Sequence, residues 1–248
     1  MHIKGAVHVH STLSRDGTLT IAELARYFKD KGYQFLAMGE HAEDLNDAKV
    51  RALREQSAAN SDANFCVVPG IEFAVTRQIH IVGVSIVNLI ALESPVYVAE
   101  QIRAQGGMSI LAHPKRLGWE CPPELARAVD AAEIWNIGYD GKYLPSPKAM
   151  PCFAKMREAN PKLLAMASHD FHRVASFYGL RIEMDVPSLV PEPILEALKR
   201  GHYVARSAFY DCTSDGHESA LGSALVRHVS ARLEKMRKAR NGMARRTT

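Results

Sequence analysis

The 248-residue sequence lacks the features of a membrane or secreted protein. It contains no run of about 18 uncharged apolar residues, so we expect no membrane span. Its four cysteines, Cys66, Cys121, Cys152 and Cys212, form no C-x-x-C pair, which predicts a reduced chain without disulfides. Residues 1–5 lead directly into a histidine motif and leave no room for a signal peptide. The sequence therefore predicts a cytoplasmic protein that does not contact a membrane.

Several signatures of catalysis and binding are also missing. There is no G-x-S-x-G string for a serine nucleophile and no G-x-x-x-x-G-K string to cradle a phosphate. No stretch rich in Phe or Tyr predicts a platform on which the bases of a single strand could stack. Internal repeats and low-complexity segments are absent, and the length suits a single domain.

The basic character of the chain is concentrated at its C-terminus. Residues 226–248 hold eight Lys or Arg and one acid, a net charge of +7. The whole chain carries +4, so the first 225 residues carry −3. The apolar fraction of 47% is that of an ordinary globular protein. We therefore predict an acidic folded body, residues 1–225, followed by a basic helix or tail, residues 226–248.

Histidine is the informative residue of this sequence. His8 and His10 stand two positions apart, and residues i and i+2 of an extended segment point to the same side. Asp16 follows in a segment that can fold back onto them. Imidazole and carboxylate are common ligands of zinc, manganese and iron. The pattern predicts that these three side chains can bind one metal ion.

The same chemistry recurs where other apolar runs end. The runs IKGAV, FLAM, FCVV, SILA and LLAMA, which begin at residues 3, 35, 65, 109 and 163, are typical of buried strands. They precede His8, His41, Glu72, His113 and Asp170 in that order. Catalytic groups of α/β barrels gather at the C-terminal ends of the strands, so we expect these side chains to converge there.

Helical signals alternate with the predicted strands, which indicates a parallel α/β sheet. Thr20 and Glu23 form a capping box, and Ser94-Pro95 opens a helix that Gly106-Gly107 would end. Glu72 and His80 are too close for a crossover helix between their strands, so a hairpin is expected there. A basic helix with apolar residues from 225 onward should end at Asn241-Gly242.

Taken together, these strings resemble the PHP family, the polymerase and histidinol phosphatase superfamily. The resemblance runs from His8 to His172 in the family's order. It implies a single-domain α/β fold, a distorted (β/α)7 TIM-like barrel, and phosphoester hydrolysis at two or three divalent metal ions. Residues that match the family's metal ligands are His8, His10, Asp16, His41, Glu72, His80, His113, Asp170 and His172.

The resemblance also implies how the ligands are shared. Glu72 would bridge two ions around a water molecule, with His8, His10 and Asp170 completing one site. His80 and His113 would complete the second site, and Asp16, His41 and His172 the third. Glu133 lies on a further family motif and is either a ligand or a group that orients a ligand histidine. The metal is Mn, Zn or Fe, which this ligand set does not distinguish.

Two positions depart from the family's usual pattern. The family usually has Asp before the histidine of its second motif, where this chain has Glu40. Its last motif usually reads S-D-x-H, whereas here His169 stands between Ser168 and Asp170. We interpret His169 as an exposed side chain or as one that supports a ligand.

A phosphate monoester also needs cationic side chains. Lys115 and Arg116 directly follow the His113 motif, and Arg173 directly follows His172. Each is placed to bind a phosphate oxygen, with arginine able to do so through two hydrogen bonds. For Lys115 and Arg173 an ordinary solvated surface position is an equal alternative, whereas Arg116 is favoured as functional. Glu72 and Asp170 complete the predicted catalytic set.

Three functions remain open at this stage. The first is a phosphoesterase acting on a small phosphomonoester, with attack by a metal-bridged hydroxide. The second is an exonuclease acting on DNA or short RNA ends, because the basic tail could contact the phosphate backbone. The third is a metal-binding module without catalysis, which should have lost ligands that this chain keeps. The oligomeric state is left undetermined.

Overall fold

The computed structural model describes residues 1–244, without the side chains of residues 233, 234 and 236–244. Seven α-helices alternate with the strands in this part of the chain. They are α1 (Ile21–Asp30), α2 (Asp47–Ala59), α3 (Pro95–Ala104), α4 (Pro123–Ala128), α5 (Ala149–Ala159), α6 (Pro191–Lys199) and α7 (Ala220–Ala244). Among residues 1–244, no helix has both the length and the apolar content that crossing a bilayer requires.

The same residues form twelve strands in two hydrogen-bonded sheets. The first sheet has the order β12 (Asp211–Thr213), β11 (Tyr203–Arg206), β10 (Arg181–Asp185), β1 (His2–Val9), β2 (Phe35–Met38) and β4 (Cys66–Val68). The second has the order β3 (Glu40–His41), β5 (Gly70–Ala74), β6 (His80–Val84), β7 (Met108–Ala112), β8 (Ala131–Asn136) and β9 (Leu164–Ser168).

The two sheets are halves of one distorted barrel. The chain passes from β2 into β3 at Gly39 and from β4 into β5 at Pro69, so each pair acts as one bent strand. Counting these pairs once, the barrel consists of β1, β2–β3, β4–β5, β6, β7, β8 and β9. This arrangement confirms the predicted (β/α)7 barrel.

The barrel closes between its first and last strands. The backbone N–H of His169 donates to the Val7 carbonyl at 3.1 Å, and that of Phe171 donates to the His8 carbonyl at 3.1 Å. The N–H of His10 returns a bond to the Phe171 carbonyl at 2.9 Å. Strand β10 pairs antiparallel with the N-terminal half of β1 and extends the sheet beyond the barrel.

Most of the elements predicted from local signals are present. The Thr20–Glu23 capping box begins α1, and both of its reciprocal hydrogen bonds form. Ser94 caps α3, with Pro95 at its first position. The expected hairpin joins β5 and β6, which pair antiparallel from Gly70 to His80. Since β6 runs against its neighbours, its first residue lies on the same side as the C-terminal ends of the parallel strands.

The C-terminal helix differs from the prediction at both ends. Helix α7 begins at Ala220 and continues through Asn241-Gly242 to Ala244, so these two residues do not end it. Val226 is buried against the core, which ties the start of the helix to the barrel. The proposed boundary at residue 226 therefore falls inside α7, and residues 245–248 of the basic tail lie outside the described residues.

Candidate metal centre

The predicted ligands meet at one end of the barrel. They lie where β1, β3, β5, β7 and β9 end and where β6 begins. Three of them, His8, His113 and Asp170, have positive φ angles of 64°, 33° and 49°. A left-handed backbone at residues with a side chain is uncommon, and it costs about 1–3 kcal/mol per residue. The surrounding barrel maintains this strained backbone, which turns the three side chains toward the ligand cluster.

Glu72 lies at the middle of the cluster. Its Oε1 is 2.9 Å from His80 Nδ1 and 3.1 Å from His113 Nε2. Its Oε2 is 3.0 Å from His41 Nδ1 and 3.4 Å from His8 Nε2. The side chain is almost completely buried. His10 Nε2 lies farther from Oε2, at 3.8 Å. A carboxylate with imidazoles beside both oxygens has the geometry expected of a bridging ligand.

Asp170 serves a second group of histidines. Its Oδ1 lies 3.4 Å from His10 Nε2, 3.5 Å from His172 Nδ1 and 3.7 Å from His8 Nε2. The rings of His10 and His172 stack with centroids 4.0 Å apart. The insertion of His169 before Asp170 therefore does not remove the carboxylate from the cluster.

Asp16 closes the outer side. Its two oxygens lie 3.3 Å from His41 Nε2 and 3.4 Å from His172 Nε2. Its side chain is half exposed, in contrast to the buried Glu72 and Asp170. All nine residues predicted as ligands are thus brought together.

Three sets of potential ligand atoms each lie within 4.8 Å of one another. They are His8, His10 and Glu72; Glu72, His80 and His113; and His10, His41 and His172. The second is the set predicted for the second site. The first lacks the predicted Asp170, and the third contains His10 in place of the predicted Asp16. Buried ring nitrogens of His8 and His10, both Nε2, have no hydrogen-bond partner. Imidazole nitrogens without partners beside carboxylates fit a group of divalent cations; metal binding by these residues remains a prediction.

Glu133 supports the cluster from behind. Its Oε1 lies 2.8 Å from His8 Nδ1, which directs the other ring nitrogen of His8 toward Glu72. Its Oε2 accepts hydrogen bonds from the His113 backbone N–H and the Asn136 side chain, both at 2.7 Å. A carboxylate that orients an imidazole in this way fixes its tautomer and raises its basicity. This geometry favours the orienting role for Glu133 over that of a ligand.

Comparisons with known proteins agree with this arrangement. No family model matches the chain. The DNA polymerase/3′-5′ exonuclease PolX of Bacillus subtilis is 36% identical over an alignment of 81 residues, which covers 29% of this chain and 14% of that protein. A solved two-domain protein of Bacteroides vulgatus, described as containing a predicted PHP-like metal-dependent phosphoesterase, superposes with a TM-score of 0.62 at 16% identity. The chain has the PHP fold.

The coverage of these matches is uneven. The Bacteroides structure is matched over 84% of this chain and 65% of its own, so this chain spans less than two thirds of it. The lesion-specific endonuclease EndoQ of Pyrococcus furiosus has a TM-score of 0.56 at 18% identity, over 86% of this chain and 59% of its own. These matches confirm the predicted fold, and the description of the Bacteroides protein as PHP-like agrees with the resemblance predicted from the sequence.

Glu40 has a structural role in this PHP barrel. It is completely buried, and its Oε1 accepts the Ser11 backbone N–H at 2.9 Å. Its Oε2 accepts the Ser14 hydroxyl at 2.5 Å, and Ser14 Oγ in turn accepts the His41 backbone N–H at 3.0 Å. Burial raises the pKa of this carboxyl group. The glutamate reaches the loop after β1 and holds it against His41.

The expectation for His169 is wrong in one respect, because the side chain is buried. It packs among the rings of Phe28, Tyr33 and Phe177, with centroid distances of 5.9, 6.3 and 6.0 Å. Burial lowers its pKa to about 3, so the ring is neutral. This aromatic contact explains how the PHP barrel accommodates the extra residue: His169 turns into the core while Asp170 turns into the cavity.

Charges within the metal-free cluster shift several pKa values. Burial alone would raise the pKa of Glu72, but His8, His113 and His41 hold it well below its usual range. Burial alone would lower the pKa of His8, yet Asp170, Glu72 and Glu133 raise it. The pKa of His41 is raised to about 9, because the nearby carboxylates of Glu72 and Asp16 outweigh its burial. The carboxylates therefore hold protons on these imidazoles when no cation is bound.

Metal-free protein should lose stability as the pH rises. A histidine whose pKa is higher in the folded than in the unfolded protein stabilises the fold while it is protonated. Its full contribution is present at pH values below the unfolded-state pKa of about 6.5. For His41 that contribution disappears as the pH passes through about 9. We expect the Tm of chelator-treated protein to fall by a few degrees between about pH 6 and pH 10, as measured by calorimetry.

A divalent metal ion should reverse the direction in which the Tm changes with pH, because histidines bind a metal ion as neutral imidazoles. With Mn or Zn present, the Tm should rise across the same interval as protons cease to compete. His41→Gln should flatten the decline of the metal-free protein. An identical decline in that variant would show that another group causes it.

The cavity above the cluster holds about 460 Å³ and is lined by cationic side chains that differ partly from the prediction. Arg116 lines it as expected, but Lys115 does not: its Nζ bonds to the Tyr139 carbonyl, beside a neighbouring cleft. Lys115 and Arg116 both belong to the short 3-10 turn Pro114–Leu117, in which consecutive side chains point in different directions. Arg173 is exposed and outside the lining. Sequence reasoning missed Arg15 and Arg77, which line the cavity from two other loops.

Arg116 connects the two sides of the cavity mouth. One of its terminal nitrogens bonds to the Arg77 carbonyl in the β5–β6 hairpin, and the other lies 3.4 Å from the Tyr139 hydroxyl. The Tyr139 ring packs on His113 with centroids 4.3 Å apart. Tyr139 carries no motif signal in the sequence, yet it places an aromatic ring and a hydroxyl beside the predicted metal ligands of the PHP barrel.

Proposed function

We propose that this protein is a metal-dependent phosphoesterase that hydrolyses a small phosphomonoester. The observation that carries this proposal is Glu72, a buried carboxylate with five imidazoles within 3.8 Å, beneath a cavity lined with arginine. The carboxylates at the bottom of the cavity suit the binding of metal cations, and the arginines at its mouth suit the binding of an anionic phosphate.

The residues divide the chemistry between them. Glu72 and Asp170 provide buried negative charge for two or three divalent ions, and the surrounding histidines provide neutral ligands. When bound, such ions lower the pKa of water and neutralise charge on phosphate oxygens. Glu133 fixes the direction of the His8 ring, and Glu40 fixes the loop that carries His10 and Asp16. No side chain of the protein needs to act as a nucleophile.

The phosphate is bound by residues at the mouth of the cavity. The guanidinium groups of Arg15, Arg77 and Arg116 come from three separate loops around one cavity. Arg15 is already paired with Glu43 at 3.3 Å and Asp44 at 3.2 Å, so Arg77 and Arg116 are the better candidates for a dianion. Arginine can present two N–H groups to one phosphate, which suits a monoester with free oxygens.

A substrate screen tests the proposal directly. Protein loaded separately with Mn, Zn or Fe would be assayed with small phosphomonoesters, phosphodiesters and short oligonucleotides. We expect metal-dependent release of phosphate from monoesters and slower turnover of diesters. Failure of all three metal forms to hydrolyse any monoester would contradict the proposal.

The second candidate is a nuclease. It is favoured by the fold shared with EndoQ, an endonuclease by its name, and by the sequence match to PolX, a DNA polymerase and exonuclease by its name. Helix α7 adds exposed cationic residues, among them Arg227, Arg232 and Lys235. Cationic side chains that contact a nucleic-acid backbone make affinity fall with salt.

Charge reversal on α7 separates the two candidates. We expect Arg232→Glu with Lys235→Glu to change phosphomonoester turnover by less than about 2-fold, because neither residue lines the cavity. The control reverses Arg51 and Arg54, which are exposed on α2. If oligonucleotide cleavage falls in the α7 variant alone, and the slope of log affinity against log salt decreases by about 1 per lost contact, the nuclease is favoured instead.

A further inference from the structure

A second cleft adjoins the predicted metal centre. It holds about 510 Å³ and lies between the loop of residues 140–147 and helix α7. Its size falls within the range of about 300–1,000 Å³ of small-molecule sites. The cavity above the predicted metal ligands, called the metal cavity below, shares a wall with this cleft. Lys115 and Asp140 line the cleft, and their neighbours along the chain, Arg116 and Tyr139, line the metal cavity. A ligand whose phosphate enters one cavity can therefore extend over this wall into the other.

The cleft is walled by exposed aromatic side chains. Tyr143 is 56% exposed and Phe209 is 50% exposed, and their ring centroids are 6.4 Å apart. Tyr178 packs edge-on against Tyr143 at 5.6 Å. Val226 and Val229 of α7 form the facing side. Exposed apolar surface concentrated in one cleft is typical of a binding site. The members of this aromatic cluster are far apart in sequence, so no stretch rich in Phe or Tyr predicts it.

Two charged groups distinguish this cleft from a site for a hydrocarbon. Asp140 accepts the Asn136 backbone N–H with Oδ2 at 3.0 Å, but its enclosed Oδ1 has no hydrogen-bond partner. Lys115 lies on the same wall. A hydrocarbon ligand would displace water from these two charged residues without replacing its hydrogen bonds, which is costly. A flat heterocycle with N–H donors and ring acceptors would stack on Tyr143 or Phe209 and pair with both polar groups.

We propose that this cleft binds the nucleobase of a nucleoside monophosphate whose phosphate lies in the metal cavity. The proposal rests on the phosphoesterase function proposed above and names its leaving group as a nucleoside. Stacking of a base on an aromatic side chain is sequence-tolerant, so several bases should be accepted. The cleft would then select nucleotides over esters that have no base.

Removal of one aromatic ring tests this assignment. We expect Phe209→Ala and, separately, Tyr143→Ala to lower kcat/KM for adenosine monophosphate about 10-fold, which corresponds to the loss of one stacked base. Hydrolysis of glycerol phosphate should change by less than about 2-fold. Phe209→Trp should retain nucleotide turnover, since it keeps a stacking surface. Leu92→Ala is the matched control, because Leu92 is 49% exposed but lines neither cavity.

The outcomes separate this proposal from the phosphoesterase assignment. The nucleobase cleft is overturned if wild-type protein hydrolyses adenosine monophosphate and glycerol phosphate equally well and neither alanine substitution changes either rate. That result would leave the phosphoesterase assignment intact. If oligonucleotides are cleaved in a Phe209-dependent way and mononucleotides are not hydrolysed at all, the assignment of a mononucleotide as the substrate is overturned. If no ester is hydrolysed, calorimetric titration with adenosine decides: binding that Phe209→Ala weakens supports the cleft although the phosphoesterase fails, and no binding overturns it.

Discussion

Substitution of Glu72 by glutamine is expected to reduce phosphoester hydrolysis by about 10³-fold or more, since metal ions contribute several kcal/mol of transition-state stabilisation. The side chain is buried, and five histidines lie within 3.8 Å of its two oxygens. Glutamine keeps the size of the side chain but removes the charge that two sets of potential ligands share. Metal content, measured by atomic emission after dialysis, should fall together with turnover.

The control for this variant is Glu196→Gln. Glu196 is 55% exposed and pairs with Arg200 on α6, so its charge does not influence the cavity. Circular dichroism would establish that both variants fold. Full turnover in Glu72→Gln with unchanged metal stoichiometry would remove the bridging role assigned to Glu72.

Asp170→Asn should cause a loss of similar size, about 10²–10³-fold, with a different effect on metal content. Asp170 contacts His8, His10 and His172, whereas Glu72 also contacts His80 and His113. The set formed by Glu72, His80 and His113 is therefore left complete. We expect the asparagine variant to lose part of its metal and the Glu72 variant to lose more.

Asp185→Asn provides the matched comparison, because the Asp185 side chain is 82% exposed at the end of β10. Turnover by that variant should equal the wild-type value. If Asp170→Asn retained normal activity while Glu72→Gln did not, the histidines around Asp170 would not be part of the catalytic centre.

The parts of the site that follow strand ends could be predicted from the sequence. His8 and His113 come directly after a short apolar run and His41 three residues after one, and a barrel brings such positions together. The short spacing between Glu72 and His80 allowed only a hairpin, and β5 and β6 form one. In these cases a local pattern determines the position of the side chain.

Other parts depend on contacts that no local pattern encodes. Arg77 reaches the cavity mouth because a hairpin turn places it opposite Arg116. Lys115 was expected in the same cavity as its neighbour Arg116, but the two are consecutive residues of a 3-10 turn and point in different directions. Glu40 resembles a family position with one extra methylene, and only the fold shows that it reaches Ser11 and Ser14.

The seam between β1 and the segment after β9 has a consequence for folding. His8 and Asp170 face each other across this seam, so their contact forms only when the first and last strands of the barrel pair. Contacts between distant parts of a chain are slow to form, because loop closure must come first. An ion held by both residues would bind the closed barrel in preference to the open chain, and would stabilise it in proportion to RT ln(1 + [M]/Kd). The availability of metal would then determine how long a newly made chain stays closed, in addition to whether it is active.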